Sequence, residues 1–198
     1  MKNGDADRKA LIADAAIDVL GRDGLRALTH RAVDARAGLP QGTCSYHHRT
    51  RRSLLGAVLR RIAELDRLDM AAGSGAAPAE AGPVDRAVEV LDRAVEVVGR
   101  WLGPARVRSR ARLVLMLDAE ARRDLGEEAG RLAGEFVAGA TATMGSAERA
   151  RLMVALLDGL VADDLVRGGD GPPPEPVLRG RVAGVFAALA TDTTARSS

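Results

Sequence analysis

Residues Thr29–Leu55 read THRAVDARAGLPQGTCSYHHRTRRSLL. They hold the only Tyr, the only Cys and all three His of a 198-residue chain. Thr29 can cap a helix in which Ala32, Val33 and Ala37 face inward. Gly38 supplies a residue that can turn left-handed and stop it. Leu39-Pro40 opens a third short helix, because Pro suits a first helical turn. Thr50 caps a fourth, which runs to about residue 70 with Leu54, Leu55, Val58, Leu59, Ile62 and Leu65 inward. Two short helices separated by the turn Gly38–Gln41 have the form of a helix-turn-helix, against the alternative of an ordinary helical hairpin.

Working outward, residues 7–22 place Leu11, Ile12, Ala15, Ala16, Val19 and Leu20 on one helical stripe, closed by Gly21 and Gly24. After a small-residue loop at 71–83, helical spacing recurs in 84–102, 106–123, 125–144, 148–167 and 177–190. The tail TDTTARSS reads as frayed. No segment of useful length alternates with strand period. The expected fold is all-α: a helix-turn-helix domain over 1–50, a connecting helix over 51–70, and a helical domain over 71–193.

Composition agrees. Apolar residues make up 46% and aromatics only 2%, so the core must be aliphatic. One Cys excludes an intrachain disulfide and fits a reducing cytoplasm, the expected location. No apolar run reaches the roughly 18–20 residues that span a bilayer, so no membrane partner is expected. The overall charge of +2 hides an asymmetry: residues 1–61 carry a net +6 and residues 62–198 a net −4. A basic first third suggests that it meets a polyanion; chance segregation is the competing reading.

The pattern Thr29-x-Arg31-Ala32-Val33, Ala37-Gly38-Leu39, Gly42-Thr43, Tyr46-His47, then Arg51 and Leu54-Leu55, resembles the DNA-binding segment of the TetR family of bacterial repressors. The match covers roughly residues 8–65. Beyond it, the resemblance is one of architecture only. It implies a homodimer on a near-palindromic, double-stranded operator, released by a small-molecule effector. Two positions depart from the family pattern. Pro40 replaces the Ser or Thr that caps the third helix, and His48 stands where Phe usually anchors the recognition helix.

Physical chemistry assigns roles to the same residues. Gln41 can pair bidentately with adenine, Thr43 can meet a base, and Gly42 lets the backbone come close. Ser45, Tyr46 and His47 suit phosphate oxygens. Arg49, Arg51 and Arg52 open the next helix, and Thr29 and Arg31 open the second, where a phosphate is welcome. A zinc site is not expected: adjacent histidines point to different faces, and no fourth ligand is in view. Cys44 reads as a small apolar packing residue. No cofactor is expected. Nor is catalysis, because the Cys lacks an acid–base partner and no phosphate loop follows a strand.

In the second half, the segment Leu152–Val166 is apolar on most faces. With the helix at 177–190 it can build a four-helix dimer interface, or it can be a central helix buried within one chain. Trp101, Leu113, Met116, Leu117, Phe136, Met144 and Met153 are candidates for an effector pocket, probed by an apolar ligand, or are plain core. Asp118 and Asp158 interrupt apolar runs; each can contact a polar or cationic ligand or cap a packing defect with a hydrogen bond, and the structural reading is the expected one. The competing function is a helical protein–protein interaction module that no longer binds DNA.

Overall fold

The computed structural model of the chain describes residues 2–72 and 82–191. Most of the small-residue loop at 71–83 and nearly all of the tail lie outside them. Every element assigned among the described residues is an α-helix: α1 (Lys2–Asp23), α2 (His30–Ala37), α3 (Thr43–His47), α4 (Arg51–Ala72), α5 (Pro83–Leu102), α6 (Arg106–Leu117), α7 (Ala119–Met144), α8 (Ala147–Arg167) and α9 (Glu175–Thr191). They fall into two compact units, Met1–Arg67 with Val107–Leu132, and Leu68–Arg106 with Ala133–Ser198.

The first unit has an aliphatic core. Ile12, Ala16 and Leu20 of α1 meet Leu54, Leu55, Val58 and Ile62 of α4, with Val33, Cys44, Ala111 and Leu115 closing it. Ion pairs run across its surface. Asp14 takes both Nε and Nη2 of Arg61, at 2.8 and 3.0 Å. Arg36 joins α2 to α1 through Asp18 and Asp23. Buried Asp66 of α4 pairs with Arg108 at 2.9 Å and Arg112 at 3.0 Å, both on α6.

Helix α1 does not stop at Gly21. It continues to Asp23, and Gly24 (φ 83°) makes the turn. Gly21 is small for a different reason: a Cβ there would lie 2.1 Å from the carbonyl oxygen of Val107 on α6. The expected break at residue 124 is also displaced. Asp118 ends α6 and caps α7, its Oδ1 accepting the N–H groups of Glu120 and Ala121 at 3.0 and 2.8 Å. An acid inside an apolar run is therefore a helix start signal here.

In the second unit α5, α8 and α9 pack on one another. Val98, Leu102, Val161, Leu178, Val182 and Leu189 fill the interior. Gly99 lets α9 come close, since a Cβ there would sit 3.3 Å from Leu178. Arg106 is buried at the C-terminal end of α8. It donates to the carbonyls of Leu102, Asp164 and Gly169, and Asp164 also takes Arg181 at 3.0 Å. These acceptors serve its two Nη groups, while its Nε has none among the described residues; a buried guanidinium with no acceptors at all would cost several kcal/mol.

Gly21→Ala should destabilise the protein by about 1–3 kcal/mol through overpacking against α6. Gly126→Ala, whose Cβ meets nothing within 4 Å, should be neutral or gain about 0.5–1 kcal/mol. Urea unfolding of the two variants against the parent chain checks this contrast.

Candidate nucleic-acid interface

Helix α2 begins where the sequence places it. Thr29 is extended, and its Oγ1 accepts from the Ala32 N–H at 3.1 Å. Gly38 is left-handed (φ 65°), and the N–H groups of Gly38 and Leu39 return to the carbonyls of Ala35 and Asp34. The third helix does not open at Pro40. Pro40, Gln41 and Gly42 form a turn, closed by Thr43 N–H to the Pro40 carbonyl at 3.1 Å. Helix α3 starts at Thr43. Gly42 holds φ 97°, a backbone state that only Gly adopts without strain. Gln41 thus sits in the turn ahead of the helix rather than at its tip.

The missing cap hydroxyl is replaced from a distance. Asp34 of α2 is 2% exposed, and its carboxylate accepts the Gly42 N–H at 2.8 Å and the Cys44 N–H at 2.7 Å. These are charge-assisted bonds at the positive end of a helix. Sequence reading passed over Asp34. The available signal was a lone acid on the inward side of α2, between Val33 and Ala37, with no hydroxyl cap downstream.

Around this turn the candidate residues divide. Gln41, Ser45, Tyr46, Arg49, Arg31 and Arg52 are exposed, Tyr46 at 77%. Thr43 Oγ1 donates to the Pro40 carbonyl at 2.6 Å and Ser45 Oγ to the Gly42 carbonyl at 2.9 Å, so both hydroxyl protons are committed. His47 is half-buried, with Nδ1 3.5 Å from Asp5, and its ring meets Tyr46 edge-on at 5.1 Å. Arg51 has another task. Its Nη1 and Nη2 donate to the carbonyls of Leu28 and Leu25, each at 3.0 Å, clamping the α1–α2 turn to the start of α4. Thr50 caps α4 as expected, accepting the Ser53 N–H at 3.1 Å.

Cys44 is fully buried, and burial with the nearby Asp34 charge pushes its thiol up to about 11. It stays protonated in neutral water and supplies no thiolate for catalysis or metal binding. His48 is also buried. Its carbonyl accepts from His30 Nε2 at 2.6 Å, its Nδ1 lies 3.3 Å from Ser53 Oγ, and its Nε2 finds no partner among the described residues. Burial, followed by the positive charge of His47, Arg60, His30 and Lys9, lowers its pKa.

The candidate effector residues are divided between the two units. Leu113, Met116 and Leu117 belong to the first unit; Met116 is half-exposed and Leu117 is 71% exposed. Trp101 is buried in the second unit, where Phe136, Met144 and Met153 are part-buried. A cleft of about 630 Å³ in the first unit is lined by Met116 but by none of the other six. A second, of about 490 Å³, is lined by residues including Val95, Pro172, Leu178 and Arg179, again with none of the candidates. Exposed apolar side chains such as Leu117 show why size alone misleads: on a helix, the face decides burial.

Helices throughout the described residues, with a short turn held between α2 and α3, define the helix-turn-helix class. Residues 84–188 match the family model of the tetracyclin repressor-like C-terminal domain. The chain is similar to the multidrug binding protein EbrR, solved in complex with imidazole: 31% identity, 90% of this chain and 94% of that one, TM-score 0.66. It is likewise similar to the TetR-family member SCO1917 of Streptomyces coelicolor A3: 28% identity, 90% and 97% coverage, TM-score 0.64. A transcriptional regulator from Rhodococcus sp. Rha1 shares the fold at 20% identity, with 91% and 96% coverage and TM-score 0.69. Comparison with curated proteins gives no match. The chain belongs to the TetR family of transcriptional regulators.

The lowered pKa of His48 sets a pH dependence. The unfolded imidazole takes its proton near pH 6.5, before the folded one does. The contribution is therefore full above about pH 6.5 and is lost as pH falls through the folded pKa. Thermal melts from pH 7.5 to 5 should show falling stability for the parent chain and a flatter profile for His48→Phe.

Proposed function

We propose that this regulator is a homodimeric, sequence-specific DNA-binding repressor, released from its operator by a small-molecule effector. The observation that carries the reading is the Asp34-held turn, beside which Gln41 and Tyr46 are exposed and Thr43 partly so, with Arg31, Arg49 and Arg52 exposed in the same segment. Thr43 and Ser45 have spent their protons, so towards a base they offer an acceptor oxygen and, from Thr43, a methyl group for thymine. Gln41 retains a full amide and suits adenine. Tyr46, steadied by His47, and the exposed Arg31, Arg49 and Arg52 suit phosphates. Arg51 positions the turn rather than the DNA.

The dimer reading is supported by α8 and α9, which pack on each other and expose Leu152, Leu156, Val166 and Val177 with Gly159, Gly180 and Gly184 between them. Two such pairs across a two-fold axis make a four-helix interface. The effector reading draws support from EbrR, which has also been solved with ethidium and proflavin. Repression works by occlusion: the dimer covers a promoter, and the effector changes the spacing of its two reading heads. The protein acts in the cytoplasm, as one buried, reduced Cys suits.

Binding to DNA upstream of the protein's own gene, against scrambled DNA at several salt concentrations, tests this. Gln41→Ala should cost on the order of 1–3 kcal/mol on the cognate site and little on random DNA. Arg49→Ala should weaken both alike and flatten the log K against log salt slope by about one unit per half-site. Half-sites should lie about 34–36 Å apart, or a multiple of that. Equal loss on both DNAs for Gln41→Ala would remove it from the reading edge, and no binding at all would favour the interaction-module alternative.

Sedimentation equilibrium at micromolar protein should give twice the 20.7 kDa chain mass. The double change Leu152→Glu, Leu156→Glu should bring it to one chain mass. A monomeric parent protein would contradict occlusion by a dimer.

A further inference from the structure

The 630 Å³ cleft of the first unit lies among α4, α6 and α7. Its apolar surface comes from Leu59, Leu115, Met116 and Leu125 with small residues between them. Its charged lining is of one sign: Arg112, Arg122 and Arg123, with no carboxylate. Arg112 is held by Asp66 at 3.0 Å. Arg122 and Arg123 are exposed, and neither pairs with a carboxylate among the described residues. An apolar cleft bordered by two uncompensated guanidinium groups attracts negative charge and repels a cation of the same shape. Arginine also presents the planar fork that fits carboxylate or phosphate oxygens, while its stem extends the apolar wall.

We propose that this cleft binds a small amphipathic anion, its head held by Arg122 and Arg123 and its short apolar body laid over Leu59, Leu115, Met116 and Leu125. This rests on the reading of the chain as an effector-responsive regulator and gives the effector a charge class. The head is a carboxylate or a phosphate monoester; the two share the recognition chemistry.

Calorimetry on the full chain with decanoate, decyl phosphate, decanol and decyltrimethylammonium tests it, with DNA release measured in parallel. At least one anion should bind about tenfold tighter than decanol, equivalent to about 1.4 kcal/mol, and tighter still than the ammonium compound. Whichever anion binds tighter identifies the head. The double change Arg122→Gln, Arg123→Gln should reduce anion affinity to the decanol level and leave decanol binding unchanged. Gly126→Leu, starting from open space at the cleft lining, should block every ligand while the melting temperature holds. Equal or tighter binding of the alcohol or the cation, anion binding indifferent to the arginine changes, or no binding of either anion overturns the proposal. If the cation binds and releases DNA, the effector reading survives without this one. If an anion binds here and DNA is not released, the site stands and its effector role falls.

Discussion

Two hydrogen bonds to one buried carboxylate hold the Pro40–Gly42 turn in shape. Asp34 takes the N–H groups of Gly42 and Cys44, and so ties α2 to the first residues of α3 across a turn that contains proline and a left-handed glycine. A five-residue helix cannot stabilise itself, because nucleation costs more than one turn of hydrogen bonds returns. Helix α3 therefore depends on what surrounds it: the Asp34 carboxylate at its start, the Cys44 side chain in the core, and the His48 N–H returning to the Cys44 carbonyl at its end. Each exposed candidate for DNA contact in this segment takes its position from that arrangement.

The rest of the first unit supports the turn with aliphatic packing and arginine. With 27 Arg and two Lys, the chain uses guanidinium groups where many proteins use backbone caps or aromatic contacts. Arg51 holds the α1–α2 turn, Arg36 and Arg61 bind α1 to its neighbours, and Arg108 and Arg112 neutralise buried Asp66. Exposed pairs of this kind add little individually. The buried ones matter for placement, since a lone Asp66 or Asp164 in the core would cost several kcal/mol. His48 is a buried ring with one nitrogen left unmatched among the described residues, as is the Nε of Arg106.

Much of this was legible in the sequence because helix caps and apolar spacing are local signals. Thr29, Gly38 and Thr50 marked their helix ends correctly, and Cys44 read correctly as core. The family, too, was legible in the spacing from Thr29 to Leu55. What escaped depends on partners distant in sequence. The start of α3 was misplaced because Pro40 looks like a first-turn residue, whereas the cap comes from Asp34. Gly21 looked like a stop and is a close-approach site against Val107. For Arg51, a cation at a helix start, only the fold shows the two carbonyls it binds. Side-chain size did not say that Met116 and Leu117 lie on exposed helix faces.

The most direct test is amide hydrogen exchange of Asp34→Ala beside the parent chain, followed residue by residue, with operator binding measured on the same samples. Loss of protection at Gly42 and Cys44, retained protection through the middle of α1 and α4, and loss of sequence-specific DNA binding are the expected result. Unchanged protection at Gly42 and Cys44, or operator affinity equal to that of the parent chain, would contradict it.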